Sequence, residues 1–110
     1  IPRLRCRVIA GAANNQLAEE RHADALAARG VFFAPDFVMN AGGVIGASQE
    51  GRSLGDTDGE SPAYDEAVAF KDTQKIVAIL DKAFDLAESE ALTPHAAAVR
   101  MAKMALRARA

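Results

Sequence analysis

The chain is poor in the residues that staple small proteins together: it has one cysteine, Cys6, no tryptophan, and only six aromatic side chains, five Phe and one Tyr, in 110 residues. A single thiol cannot form an internal disulfide, and a zinc site would need Cys6 together with His22 and His95, which lie far apart in sequence. Neither a disulfide scaffold nor a structural metal organises such a chain. No apolar run approaches the roughly 18 residues of a membrane span, and Ile1-Pro2-Arg3 does not open a signal peptide, so a soluble, cytoplasmic protein is expected. Positive charge is not in excess either. Thirteen Lys and Arg against fifteen Asp and Glu give a net charge of −2, which argues against a nucleic-acid-binding domain. What remains is an ordinary globular composition, 50% hydrophobic and 25% charged, in a length that suits one domain.

Apolar Leu4, Cys6 and Val8 alternate with Arg3, Arg5 and Arg7 up to Ala10, which predicts a strand and places Cys6 in the core. Because the strand begins almost at the first residue, the chain is expected to be a piece of a longer protein. Gly11-Ala12-Ala13-Asn14-Asn15-Gln16 reads as a loop. Leu17 to Arg29 is rich in Ala, Leu, Glu and Arg, with apolar Leu17, Ala25 and Leu26, and Gly30 stands where a helix-ending glycine belongs. Val31-Phe32-Phe33-Ala34, stopped by Pro35, predicts a second, buried strand. Strand, helix and strand in this order make a parallel β-α-β unit.

Asn40 to Glu50 suggests a glycine-weakened helix with Asn40 as its N-cap, and the acidic, glycine-rich stretch 51–62 suggests an exposed loop. A long helix follows. Thr73, Ile76, Val77, Leu80, Ala83, Phe84 and Ala87 mark its core face, opposite Lys75, Asp81, Lys82 and Asp85. Thr93-Pro94 caps a last helix with an expected apolar stripe of Val99, Ala102 and Leu106 and cations toward its end. Two parallel strands do not make a self-sufficient sheet, so the fold class is α/β but incomplete.

Two loops carry the chemical interest, because open α/β sheets bind ligands at the carboxyl ends of their strands. In the first, Gly11 allows close backbone approach, and the amides of Asn14 and Asn15 suit a carboxylate, a ribose hydroxyl or a carboxamide; a plain turn also accounts for these residues. In the second, Gly42 and Gly43 remove two Cβ atoms at a helix start, which fits a planar ligand against backbone or equally close helix packing. His22, within Glu19-Glu20-Arg21-His22, suits a surface or capping role. The basic last helix lacks the aromatic partners of a single-strand nucleic-acid binder.

The segments Val8-Ile9-Ala10-Gly11-Ala12-Ala13-Asn14-Asn15-Gln16-Leu17 and Ala34-Pro35-Asp36-Phe37-Val38-Met39-Asn40-Ala41-Gly42-Gly43-Val44-Ile45 closely resemble the C-terminal region of the amino acid dehydrogenases acting on Leu, Val, Phe and Glu, the Leu/Val/Phe branch in particular. That resemblance implies that residues 1–50 are the C-terminal part of a Rossmann-type NAD-binding domain and that 51–110 form an acidic loop and C-terminal helices packing on it. It implies NAD as cofactor, an L-amino acid and its 2-oxo acid as substrates, and a homo-oligomeric full-length enzyme. By the same resemblance Ala12, Ala13 and Asn14 lie at the nicotinamide ribose, Asn14 also at the substrate carboxylate, and Asn40 near the nicotinamide carboxamide. Val44 and Ala47 match positions lining the pocket for the amino acid side chain.

Departures from the family pattern matter as much. The catalytic lysines and aspartate of the substrate domain have no counterpart here, nor does the glycine-rich pyrophosphate turn. Lys71, Lys75, Lys82 and Lys103 read as solvated charges on helices, so the chain alone is expected to be inactive. The alternative from another class is a non-catalytic half-Rossmann module that binds a partner or a nucleotide.

Overall fold

The computed structural model describes residues 1–54 and 64–108, without the side chains of 49–54. The order is β1 (Val8–Ile9), α1 (Arg21–Ala27), β2 (Phe32–Phe33), α2 (Asp36–Met39), α3 (Gly42–Leu54), α4 (Glu66–Ser89) and α5 (Pro94–Arg107). The architecture is α/β. Strands β1 and β2 pair in parallel, Val8 opposite Phe32 and Ile9 opposite Phe33, with the Phe32 amide donating to the Arg7 carbonyl and the Ala34 amide to that of Ile9, both at 2.9 Å.

The first strand is much shorter than its alternation predicts. A ladder extends only as far as its partner: in parallel register the residues before Val8 lie opposite the end of α1 and the left-handed Gly30, and beyond Ile9 the ladder stops at Pro35, which has no amide hydrogen. Residues 1–4 instead turn back, the Leu4 amide donating to the Ile1 carbonyl, while the Arg29 guanidinium donates to the carbonyls of Ile1 and Leu4. Leu4 and Val8 are consequently exposed, and so is Cys6, contrary to its expected place in the core.

Helix α1 also starts later than its composition suggests, at Arg21 rather than Leu17. The residues before it are held otherwise: Leu17 packs against Leu26, Val31 and Phe33, and His22 Nδ1 accepts from the Glu19 amide at 3.2 Å, the capping role expected of this histidine. Asn40 is not an N-cap. An unforeseen single turn, α2, precedes it, and Asn40 is that turn's C-cap, its amide donating to the Asp36 carbonyl at 2.8 Å. Helix α3 then starts at Gly42 and runs to Leu54, so the expected loop begins later than 51; its remainder, 55–62, falls outside the described residues.

Ile76, Ala83 and Ala87 of α4 are buried and Leu80 partly so, as the periodicity predicts, but Val77 is 63% exposed. Phe84, at the edge of the same face, meets Phe32 edge-on with ring centroids 5.0 Å apart. The stripe on α5 is likewise displaced. Thr93 Oγ1 caps the Ala96 amide at 3.2 Å and Pro94 opens the helix as expected, yet Ala97 and Ala98 are buried while Ala102 and Leu106 face solvent. Alanines at the contact let α5 approach α4 closely, a face that hydrophobicity alone does not single out. The cores are Val38, Ile76, Ala83 and Ala98 between helices, and Leu26, Val31 and Phe33 under the sheet.

Both α1 and α4 end in the same motif. The amides of Gly30 and Val31 donate to the carbonyls of Ala27 and Leu26, and those of Ala91 and Leu92 to Glu88 and Ala87. The left-handed residue is Gly30 (φ +67°) in one case and Ala91 (φ +53°) in the other. A Cβ on Gly30 would meet nothing within 4 Å, so only backbone conformation is at stake. Gly30→Ala is expected to lower stability by about 1 kcal/mol and Ala91→Gly to raise it by a similar amount, as read from urea unfolding midpoints. Shifts of the same sign in the two variants contradict this account.

Candidate functional site

Parallel pairing brings the carboxyl ends of β1 and β2 side by side, and the two loops that leave them touch. The Asn40 Nδ2 donates to the Asn14 Oδ1, across 26 residues of sequence. This orientation leaves the Asn14 Nδ2 as a free donor and the Asn40 Oδ1 as a free acceptor among the described residues. A donor there suits a carboxylate or hydroxyl oxygen, and an acceptor suits the N–H of a carboxamide. Ala12, Ala13 and Asn14 are exposed and Asn40 is partly buried.

Helix α3 carries the remaining candidates. Val44 is 73% exposed and Ala47 also faces solvent, one turn further along. The two glycines at the start of α3 have different surroundings. A Cβ on Gly42 would touch the Thr73 Cγ2 at 3.6 Å, so this glycine lies in the packing of α3 against α4. A Cβ on Gly43 would meet no atom within 4 Å, which leaves open space beside the backbone there. The helix-packing explanation therefore applies to Gly42 only.

Two residues missed in the sequence belong to the same loops. Gln16 Nε2 donates to the carbonyls of Gly11 at 3.1 Å and Ala13 at 3.0 Å, and the Gln16 amide donates to the Asp36 Oδ2 at 3.1 Å. Asp36 is only 6% exposed, a rare setting for a carboxylate. Its one available signal was an acid between a strand-stopping proline and apolar residues. Between Asn14 and Gln16, Asn15 adopts φ +52°, a left-handed conformation that asparagine tolerates well. His95 packs under this region, its ring 5.5 Å from that of Phe37, edge to face, and 6.3 Å from that of Phe33.

The lysines lie apart from the loops. Lys71, Lys75, Lys82 and Lys103 are all exposed on α4 and α5, and Lys75 pairs with Asp72 at 2.6 Å. No group of three or more His, Cys, Asp or Glu among the described residues could hold a metal ion, and none of the described helices is long and apolar enough to cross a membrane.

No protein-family model matches the chain. Curated relatives do. Leucine dehydrogenase of Thermoactinomyces intermedius is 42% identical over 103 residues, 94% of this chain and 25% of the relative. L-tryptophan dehydrogenase of Nostoc punctiforme is 40% identical over 104 residues, 94% and 27% respectively. The crystal structure of that tryptophan enzyme superposes with a TM-score of 0.79 at 39% identity, covering 93% of this chain and 28% of the other. The homologues of this chain are amino acid dehydrogenases. Phenylalanine dehydrogenase of Caldalkalibacillus thermarum, 34% identical over the whole chain and 27% of its own length, extends the set. The chain spans about a quarter of the length of these dehydrogenases.

Gly43→Ala adds a methyl into open space on a helix and is expected to leave stability unchanged or raise it by up to about 1 kcal/mol. A drop in thermal midpoint of the variant would show that the space beside Gly43 is filled in the folded protein.

Proposed function

We propose that these residues form the nicotinamide side of the cleft of an NAD-dependent L-amino acid dehydrogenase, in a protein that carries the remaining catalytic residues elsewhere in its sequence. The reaction is the reversible oxidative deamination of an apolar L-amino acid, of the Leu, Val or Phe type, to its 2-oxo acid and ammonia. The observation that carries this reading is the Asn14–Asn40 hydrogen bond, which joins two loops at the carboxyl ends of parallel strands, where open α/β sheets take their ligands. Homology to leucine, tryptophan and phenylalanine dehydrogenases supports the same class.

The residues fit the cofactor. The open space beside Gly43 admits a flat group against backbone, and the free Asn14 donor and Asn40 acceptor are complementary to a carboxylate and a carboxamide. When bound, NAD would supply the acceptor for a hydride from the substrate Cα. Ala12 and Ala13 present backbone to the nicotinamide ribose; their small side chains keep this approach unobstructed. Asn14 binds the ribose and fixes the substrate carboxylate, so that Cα is presented at reacting distance, and Asn40 orients the carboxamide through its acceptor oxygen. Val44 and Ala47 line the pocket for the amino acid side chain, the small Ala47 enlarging it. The exposed lysines of α4 and α5 take no part.

Positioning of this kind contributes several kcal/mol to catalysis. In the full protein, assayed with NAD against Leu, Val, Phe and Trp, Asn14→Ala is expected to lower kcat/KM by about 100-fold, with the circular dichroism spectrum unchanged. Full activity of this variant would remove Asn14 from the site, and wild-type protein inert toward the whole panel would refute the dehydrogenase reading.

A further inference from the structure

Asp36 and Asn40 stand at the two ends of the single turn α2, and each reaches across to the loop after β1. We propose that Gln16 and Asp36 are positioning residues, forming with α2 a two-point clamp that sets the geometry of the Asn14–Asn40 pair. The kinetic part of this inference rests on the dehydrogenase reading; the structural part does not.

The clamp is built from the core outward. Pro35 and Val38 are buried, which seats α2 against the protein interior, and the Asn40 amide bonded to the Asp36 carbonyl at 2.8 Å makes the turn a short rigid bar. At its first residue, the buried Asp36 carboxylate accepts the Gln16 amide at 3.1 Å. A buried carboxylate is costly unless hydrogen-bonded, so this contact is strongly favoured over any in which Gln16 moves away. Gln16 in turn holds the loop behind it. Its Nε2 uses both hydrogens, on the Gly11 and Ala13 carbonyls, and a Cβ on Gly11 would lie 3.6 Å from that nitrogen, so the loop is wrapped against the amide. Asn14 is the residue directly after this tied segment, and the left-handed Asn15 turns the chain between it and Gln16. With both Gln16 and Asn14 fastened to opposite ends of one rigid turn, the Asn14 amide has little freedom to rotate away from Asn40. A donor held in place before substrate arrives needs no reorganisation during reaction, whereas a displacement of about 1 Å costs on the order of 100-fold in rate.

The test uses the full protein with asparagine selectively labelled with 15N. Gln16→Glu preserves size and shape but replaces the two donors with an oxygen facing two carbonyl oxygens. Gln16→Ala removes the side-chain tie to Gly11 and Ala13 without that repulsion and keeps the backbone amide on Asp36, as a control against misfolding. Both are expected to shift the side-chain amide resonances of Asn14 and Asn40 and speed their hydrogen exchange, and to lower kcat by about 10-fold or more while the KM for NAD and the thermal midpoint stay near wild type. Unchanged amide resonances in both variants overturn the clamp, whatever the activity. Shifted resonances with unchanged kcat overturn the positioning role. A wild-type protein without dehydrogenase activity, but with amides that still respond to Gln16→Ala, refutes the dehydrogenase reading and upholds the clamp.

Discussion

Parallel pairing of two very short strands is the constraint on which the rest depends. Because Val8–Ile9 and Phe32–Phe33 run in the same direction, the chain leaves both strands at the same end, and the loops that follow are forced into contact. An antiparallel arrangement of the same residues would send Asn14 and Asn40 to opposite ends of the sheet. Helix α1 makes the parallel arrangement possible by returning the chain to the starting end, and its glycine-ended turn aims Val31 straight back into the sheet.

Around this pair the helices act as a support. Helix α2 is seated by Pro35 and Val38, α3 leans on α4 through the contact at Gly42, and α4 and α5 pack through alanines. The packing leaves Val44 and Ala47 facing solvent, on the same helix that is anchored at Gly42. Rigid support beneath and polar groups above is the arrangement expected of a site that orients a ligand rather than supplying a nucleophile or a base.

Much of this was legible in the sequence where a residue carries its own local rule. Gly30 marks a helix end because it tolerates a left-handed backbone, Thr93-Pro94 marks a helix start, and Ile76, Leu80, Ala83 and Ala87 repeat with helical spacing. Failures occurred where the deciding partner lay elsewhere in the chain. Alternation from Arg3 to Ala10 is a property of one strand, but in parallel register the residues before Val8 lie opposite the end of α1 and the left-handed Gly30, which offer no extended partner. Val77 and Leu106 are as hydrophobic as their buried neighbours, and only the contact between α4 and α5, made through Ile76, Ala83 and Ala98, shows which side of each helix is covered. Helix α2 is a single turn, too short for any periodicity to register.

The chemistry divides along the same line. Amide side chains, glycines and small residues after two strands are enough to mark the loops as candidates, because these preferences are intrinsic to the residues and their order along the chain. Which amide faces which, and that the buried Asp36 holds the Gln16 backbone amide, are decided only by folding, since each depends on a hydrogen bond between segments 20 or 26 residues apart that no local pattern encodes.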